Sequence, residues 1–251
     1  MKKLSYFFAF FLLPLLAFQP DTVDDPKAII QKAQDKLNGN SSKALMTMKI
    51  IRPDWTREMS LKSWSSGEDL ALVLVTSPAR DRGIAFLKRE KEMWNWQPSI
   101  DRVVKLPPSM MMQSWMGSDL KNDDLVNQSS PINDYDHKLL GEEEIDGMKC
   151  WKIEMLPHDD VAVVWGKIIV WVEMNDYIEL KSEFYDEDGF LINTISGKDI
   201  KRFGDRNLPS RLEVVPAEEE GHKTILEYTD LQFDIPMKES FFSIQNMKRV
   251  R

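Results

Sequence analysis

The feature that most constrains this chain is a two-residue period, broken by a turn roughly every ten residues. From Lys43 the apolar Ala44, Met46, Met48 and Ile50 alternate with Leu45, Thr47 and Lys49. Arg52-Pro53-Asp54 reads as a turn, after which Trp55, Arg57, Met59 and Leu61 continue the pattern as the second arm of a hairpin. Residues 70–75 form a continuous apolar run closed by Ser77-Pro78, and short strands are expected over 83–88, 92–97 and 102–106. The pattern resumes over 137–144, turns at Asp146-Gly147 into 148–156, and runs on through 167–174, 178–185, 190–200, 211–215 and 224–233. Nothing resembles a strand–helix–strand repeat, so the sheet is predicted to be antiparallel and the fold mainly β. About a dozen twisted strands must curl into a barrel or half-barrel, or split into a sandwich.

Alternation also predicts which residues share a face. Trp151, Ile153 and Met155 should point inward, leaving Cys150 on the more polar side. Ile178, Leu180 and Phe184 should face one way, with Glu179, Lys181 and Glu183 the other. One early helix is expected, with Asp25 as N-cap, Pro26 at the first position and Ala28, Ile29, Ala33 and Leu37 as its apolar stripe. Asn38-Gly39-Asn40 should stop it. Three segments could cover an apolar inner face: this helix, residues 107–126 and the C-terminal end. The end itself reads as a short helix or an irregular tail.

Residues 1–17 read as a secretory signal peptide, with Lys2 and Lys3 before an apolar run and Ala17 at its end. The run is too short for a membrane span, so an exported chain is expected, with one domain over 18–251. The net charge of −8 becomes more negative once Lys2 and Lys3 leave with the leader. Such a chain has no electrostatic footprint for nucleic acid. Cys150 is the only cysteine, so no intramolecular disulfide can hold the fold.

Motifs for chemistry are missing. There is no phosphate-binding glycine loop, no Gly-x-Ser-x-Gly elbow and no zinc spacing among His137, His158 and His222. Counted from Asp119, a calcium loop fails at once, since Lys121 and Asp124 occupy its third and sixth positions. The acids 119–124 read instead as an Asx turn or the cap of a helix near Asp123. No catalytic residue, cofactor or metal is expected, and the chain is not read as an enzyme. What stands out is Met110, Met111, Met112, Trp115 and Met116, between Pro107-Pro108 and those acids. Methionine is flexible and polarizable, which suits either a core plug or a surface for varied apolar ligands.

Several stretches, in order along the chain, carry a resemblance: residues 46–53 (MTMKIIRP), 77–83 (SPARDRG), 94–107 (WNWQPSIDRVVKLP), and 117–120 with 122–125 (GSDL, NDDL). Together they resemble the outer-membrane lipoprotein-sorting family, related to the carrier LolA and its acceptor LolB. The resemblance implies a curved antiparallel sheet forming an unclosed β-barrel, with a helical or loop lid over an apolar cavity. It also implies a monomeric periplasmic carrier of lipoprotein acyl chains or other lipids, which works with an envelope transporter or an acceptor protein. LolB is anchored through an N-terminal Cys, which this chain lacks, so the soluble form is expected. A non-enzymatic accessory subunit of an envelope transporter or assembly machine is the alternative. On this reading the cavity candidates are Met46, Met48, Ile50, Trp151, Ile153 and Met155. The lid candidates are Met110, Met111, Met112, Trp115 and Met116, and Arg80 and Arg82 are rim candidates beside Asp81.

Overall fold

The structure, a computed structural model, describes residues 25–126, 130–161 and 163–251. The expected leader lies outside the described residues. A helix, α1 (Pro26–Asn38), precedes a first run of strands: β1 (Ser41–Ile51), β2 (Thr56–Ser66), β3 (Leu70–Ser77), β4 (Ala85–Arg89), β5 (Glu92–Gln97) and β6 (Arg102–Leu106). A long connection containing a one-turn helix, α2 (Asn122–Val126), leads to β7 (Tyr135–Ile145). Then follow β8 (Met148–Pro157), β9 (Lys167–Glu173), β10 (Glu179–Tyr185), β11 (Leu191–Phe203), β12 (Arg206–Pro216), β13 (Lys223–Phe233) and the short α3 (Ile244–Met247).

All strands lie in one antiparallel sheet of order β6-β5-β4-β3-β2-β1-β13-β12-β11-β10-β9-β8-β7, curved but not closed. Each half is a meander, as the turn spacing predicts. The halves meet where β1 pairs with β13, Ser42 opposite Phe233 and Ile51 opposite Lys223. The free edges are therefore β6 and β7, which are consecutive in sequence. The chain between them must pass from one edge to the other, and residues 107–126 lie across the inner face as a strap.

One row of paired residues shows that the inner face is continuous. It runs from Ile50 through Thr224, Val214, Ile195, Ser182, Val170 and Ile153 to Leu139. Paired residues point to the same side of a sheet, so Ile50 and Ile153 share this face across the whole width. Helix α1 covers the part over β7–β9, burying Ile29, Ile30 and Ala33. Its N-cap position is Asp25, as expected, but the Asp25 side chain makes no capping bond, and Gly39, at φ 61°, takes the backbone out of the helix. The buried stripe includes Ile30 and leaves Ala28 half-exposed.

Three expectations need correction. Cys150 is fully buried, packed with Ile169, Trp171, Ile178 and Leu180 in an apolar cluster on the outer face. Burial pushes its thiol up to about 11. Phe184 does not share a face with Ile178 and Leu180: the register slips between Glu179 and Lys181, and Phe184 packs on the inner face against Trp165. A bulge places two residues opposite one and resets the alternation beyond it. Finally, the C-terminal end covers the outer face rather than the inner one, with Phe242, Met247 and Val250 over Leu72, Leu74, Ala85 and Leu87.

The strap is tied to the seam of the sheet. Asp119, almost fully buried, takes both guanidinium nitrogens of Arg52, at 2.9 and 3.1 Å. Its Oδ2 also accepts from the Thr224 hydroxyl at 2.7 Å, which in turn accepts from the Asp119 N–H at 3.0 Å. Asn193 Nδ2 donates to the Asp119 carbonyl. A buried charge left alone is costly, so removing one partner costs about 3–5 kcal/mol. We expect Asp119→Ala to lose that much in urea unfolding, and Arg52→Ala/Asp119→Ala to lose less than the sum of the single variants. A loss below about 1 kcal/mol for Asp119→Ala would show that the pair does not hold the strap.

Candidate functional site

The candidate site is the inner face together with the strap and helix that cover it. The strap turns tightly at both ends. Pro107-Pro108 ends β6 and starts a 3-10 turn over Pro108–Met110. A second 3-10 turn, Trp115–Gly117, holds Met116 at φ 51°, a left-handed conformation that costs a non-glycine residue roughly 1–2 kcal/mol. Its carbonyl accepts from Arg57, and the Gly117 carbonyl accepts from Arg52. Between the turns the chain folds back on itself: Trp115 N–H donates to the Leu120 carbonyl and Asn122 N–H to the Gln113 carbonyl. The acids cap rather than chelate, since Asp124 Oδ2 accepts from the Lys121 N–H at 2.7 Å just before α2.

This geometry sends the five lid candidates in different directions. Met111 and Trp115 are buried, and Trp115 meets Phe86 with ring centroids 5.3 Å apart. Met110 and Met116 are half-buried. Met112 stands out to solvent, 50% exposed. Met111, Trp115 and Leu120 enter one cluster with Met46, Met48 and Ile50. Ile153 and Met155 belong to a second cluster beneath α1, with Trp151 half-buried at its border against Tyr177. Val164 packs against both clusters. Nine of the eleven apolar candidates therefore divide between two clusters on one face, with Met110 and Met112 in neither.

Beside the fully buried Val214, Ser182 and Val170, the same face also carries half-buried side chains. Ile195, Leu212 and Tyr228 pack beside the first cluster, and Phe184 and Ile192 beside the second. Two polar groups sit among them. Burial pushes the Glu179 carboxyl above its ordinary range, opposed by a hydrogen bond from Ser182. Burial also raises the Tyr228 hydroxyl, which has no hydrogen-bond partner among the described residues. Sequence periodicity singled out none of these. Glu179 points inward only because of the bulge, and Ile195, Leu212 and Tyr228 show no pattern that separates them from other strand residues.

The rim candidates make structural contacts. Asp81 pairs with Arg57 at 3.1 Å and with the exposed Arg80 at 3.2 Å, while Arg82 donates to the Thr76 carbonyl. One group of possible metal ligands, Asp119, Glu219 and His222, lies close together. Arg52 and Thr224 already take the Asp119 oxygens, so a cation there would have to displace a buried guanidinium.

Trp115 fills core space and Met112 does not, so their truncations should differ. Trp115→Ala should cost about 3–5 kcal/mol in chemical unfolding. Met112→Ala should stay within about 0.5 kcal/mol of the parent. Equal effects would show that the strap is not inserted as described. A pH dependence follows from Asp124, whose carboxyl burial pushes up to about 6, against bonds from the Lys121 N–H and Trp165 Nε1. A raised carboxyl stabilises the fold while protonated. Its contribution is present below the unfolded value near 4 and is lost as pH rises through 6. Stability should fall by about 1–3 kcal/mol across that window, and Asp124→Asn should flatten the fall. Parallel pH profiles would refute the assignment.

A family model described as an uncharacterized protein matches residues 67–249, well over half of the chain. No curated protein matches. Among solved structures, an outer membrane lipoprotein-sorting protein domain from Vibrio parahaemolyticus is 26% identical, with TM-score 0.78, over 89% of this chain and 98% of that one. A DUF1329 family protein from Desulfovibrio piger is 23% identical, with TM-score 0.80, over 89% and 99%. A LolA superfamily protein from Nitrosomonas europaea is 23% identical, with TM-score 0.75, over 88% and 98%. The chain belongs to the family that this model describes, and its fold is that of the LolA-like outer membrane lipoprotein-sorting proteins its sequence resembles.

Proposed function

We propose that this protein is a periplasmic carrier that takes acyl chains of lipoproteins or related lipids onto its inner face, for transfer toward the outer membrane. The observation that supports it most is the shape of the covering. One apolar face spans the sheet under the strap and α1, and Ile195, Leu212 and Phe184 on that face stay only half-buried. An acyl chain in water costs about 0.8 kcal/mol per CH2, so it travels only in apolar cover. The flexible side chains of Met46, Met48 and Met111 can repack around chains of different length. The strap would move as a unit, because its own backbone hydrogen bonds, Trp115 N–H to Leu120 and Asn122 N–H to Gln113, hold it together. The absence of a catalytic motif in the sequence fits a binding role. The similarity to a protein described as lipoprotein-sorting supports this choice of cargo over other apolar ligands.

Native mass spectrometry of protein purified from the periplasm, with lipid extraction, tests the proposal. Stoichiometric acyl cargo and uptake of a fluorescent fatty acyl probe are expected. Ile195→Trp/Leu212→Trp, which enlarges two half-buried side chains of this face without adding charge, should lower uptake at least tenfold at unchanged stability. A protein that is empty and also takes up no probe would leave the accessory-subunit reading in its place.

A further inference from the structure

A groove of about 680 Å³ lies on the opposite side of the sheet, between β1, β2 and the C-terminal segment. That volume is in the range of small-ligand sites, which run from about 300 to 1,000 Å³. Its apolar wall includes Trp64, Met237 and Phe241, with the Trp64 and Phe241 rings edge to face at 5.5 Å. Its charged lining is all of one sign. Lys43, Lys238 and Arg249 border it, and no carboxylate does.

Two facts bear on what this lining can hold. The chain as a whole is acidic, at −8. Several of its cations are engaged elsewhere: Arg52, Arg57, Arg89, Arg206 and Arg211 pair with carboxylates. Lys43, Lys238 and Arg249 have no ion pair and no side-chain hydrogen bond among the described residues. Three uncompensated cations around an aromatic wall repel one another, and the arrangement is relieved by an anion held among them. The wall beside them is apolar, so the anion must carry an apolar part.

We propose that this groove binds one anionic phospholipid-type amphiphile, its phosphate held by Lys43, Lys238 and Arg249 and its acyl chain lying over Trp64 and Phe241. Charge-assisted bonds from Lys and Arg give the head its selectivity. The site is separate from the inner face and does not depend on the carrier reading.

The test uses the whole protein with monomeric lysophosphatidylglycerol, below its micelle concentration, against zwitterionic lysophosphatidylcholine. Hydrogen–deuterium exchange locates binding. Lysophosphatidylglycerol should protect amides within 235–249 and bind at least tenfold more tightly than lysophosphatidylcholine, with affinity falling as salt rises. Lys43→Glu/Arg249→Glu should abolish the preference without lowering stability, since neither side chain has a partner to lose. Lys238→Gln, on an exposed segment, gives a second and milder reading and should weaken binding severalfold. Equal affinity for the two lipids, or a preference that survives in these variants, would overturn the proposal. So would displacement of lysophosphatidylglycerol by a hexaglutamate peptide at equal affinity, which would show a charge trap only. Protection confined to residues 107–124 would also overturn it while supporting inner-face binding, so each idea can fail alone.

Discussion

Everything in this molecule follows from a sheet whose two free edges are joined by one stretch of chain. The first six strands step outward from the seam to β6, and the last seven step back from β7 to the seam. The middle of the sequence has no strand left to pair with and must cross the open side. A crossing loop over an apolar face can neither stay wet beneath nor bury its backbone without partners. The solution is a small folded unit with its own internal hydrogen bonds and a polar tie. The tie, Asp119, reaches Arg52 at the end of β1 and Thr224 on β13, the two strands that form the seam. The same contact thus fixes the strap and braces the place where the halves join.

Much of the architecture was legible in the sequence because alternation and turn residues are local signals. Every strand lies where the two-residue period and its breaks put it, within a few residues at the ends, and the curved, unclosed sheet with its lid agrees with the resemblance. What was not legible is what depends on distant chain. A period of two assigns one face to water by default, so Cys150 was assigned to the more polar face, although a second apolar cluster covers it. The continuous apolar run of β3 did hint at cover on both sides, but nothing local says that Phe242 and Met247 supply the outer one. The bulge at Glu179 left no residue signature, and it alone moves Phe184 to the other face.

The methionine segment shows the limit most clearly. Its composition said that it would meet something apolar. Which methionine would do so was decided by the left-handed backbone at Met116 and by the 3-10 turns on either side. Met111 and Met112 are neighbours in sequence and opposites in environment, 3% and 50% exposed. Plug and lid are therefore not alternatives for the segment as a whole. One part closes the core and another faces out. Binding and folding compete for the same surface, and any ligand that enters must be worth at least the contacts that Trp115 and Met111 give up.

The seam has a consequence for how such a chain comes into being. Ser42 pairs with Phe233, so β1, beside the middle of the sheet, waits for the last strand to arrive. A polypeptide emerging end-first from a narrow channel presents β1 early, with one side satisfied by β2 and the other bare until β13 follows. Contacts this far apart in sequence slow folding and lengthen the time that an unpaired edge is displayed. For this topology the vulnerable moment comes during synthesis, when a strand that will end up in the interior of the sheet is still an open edge.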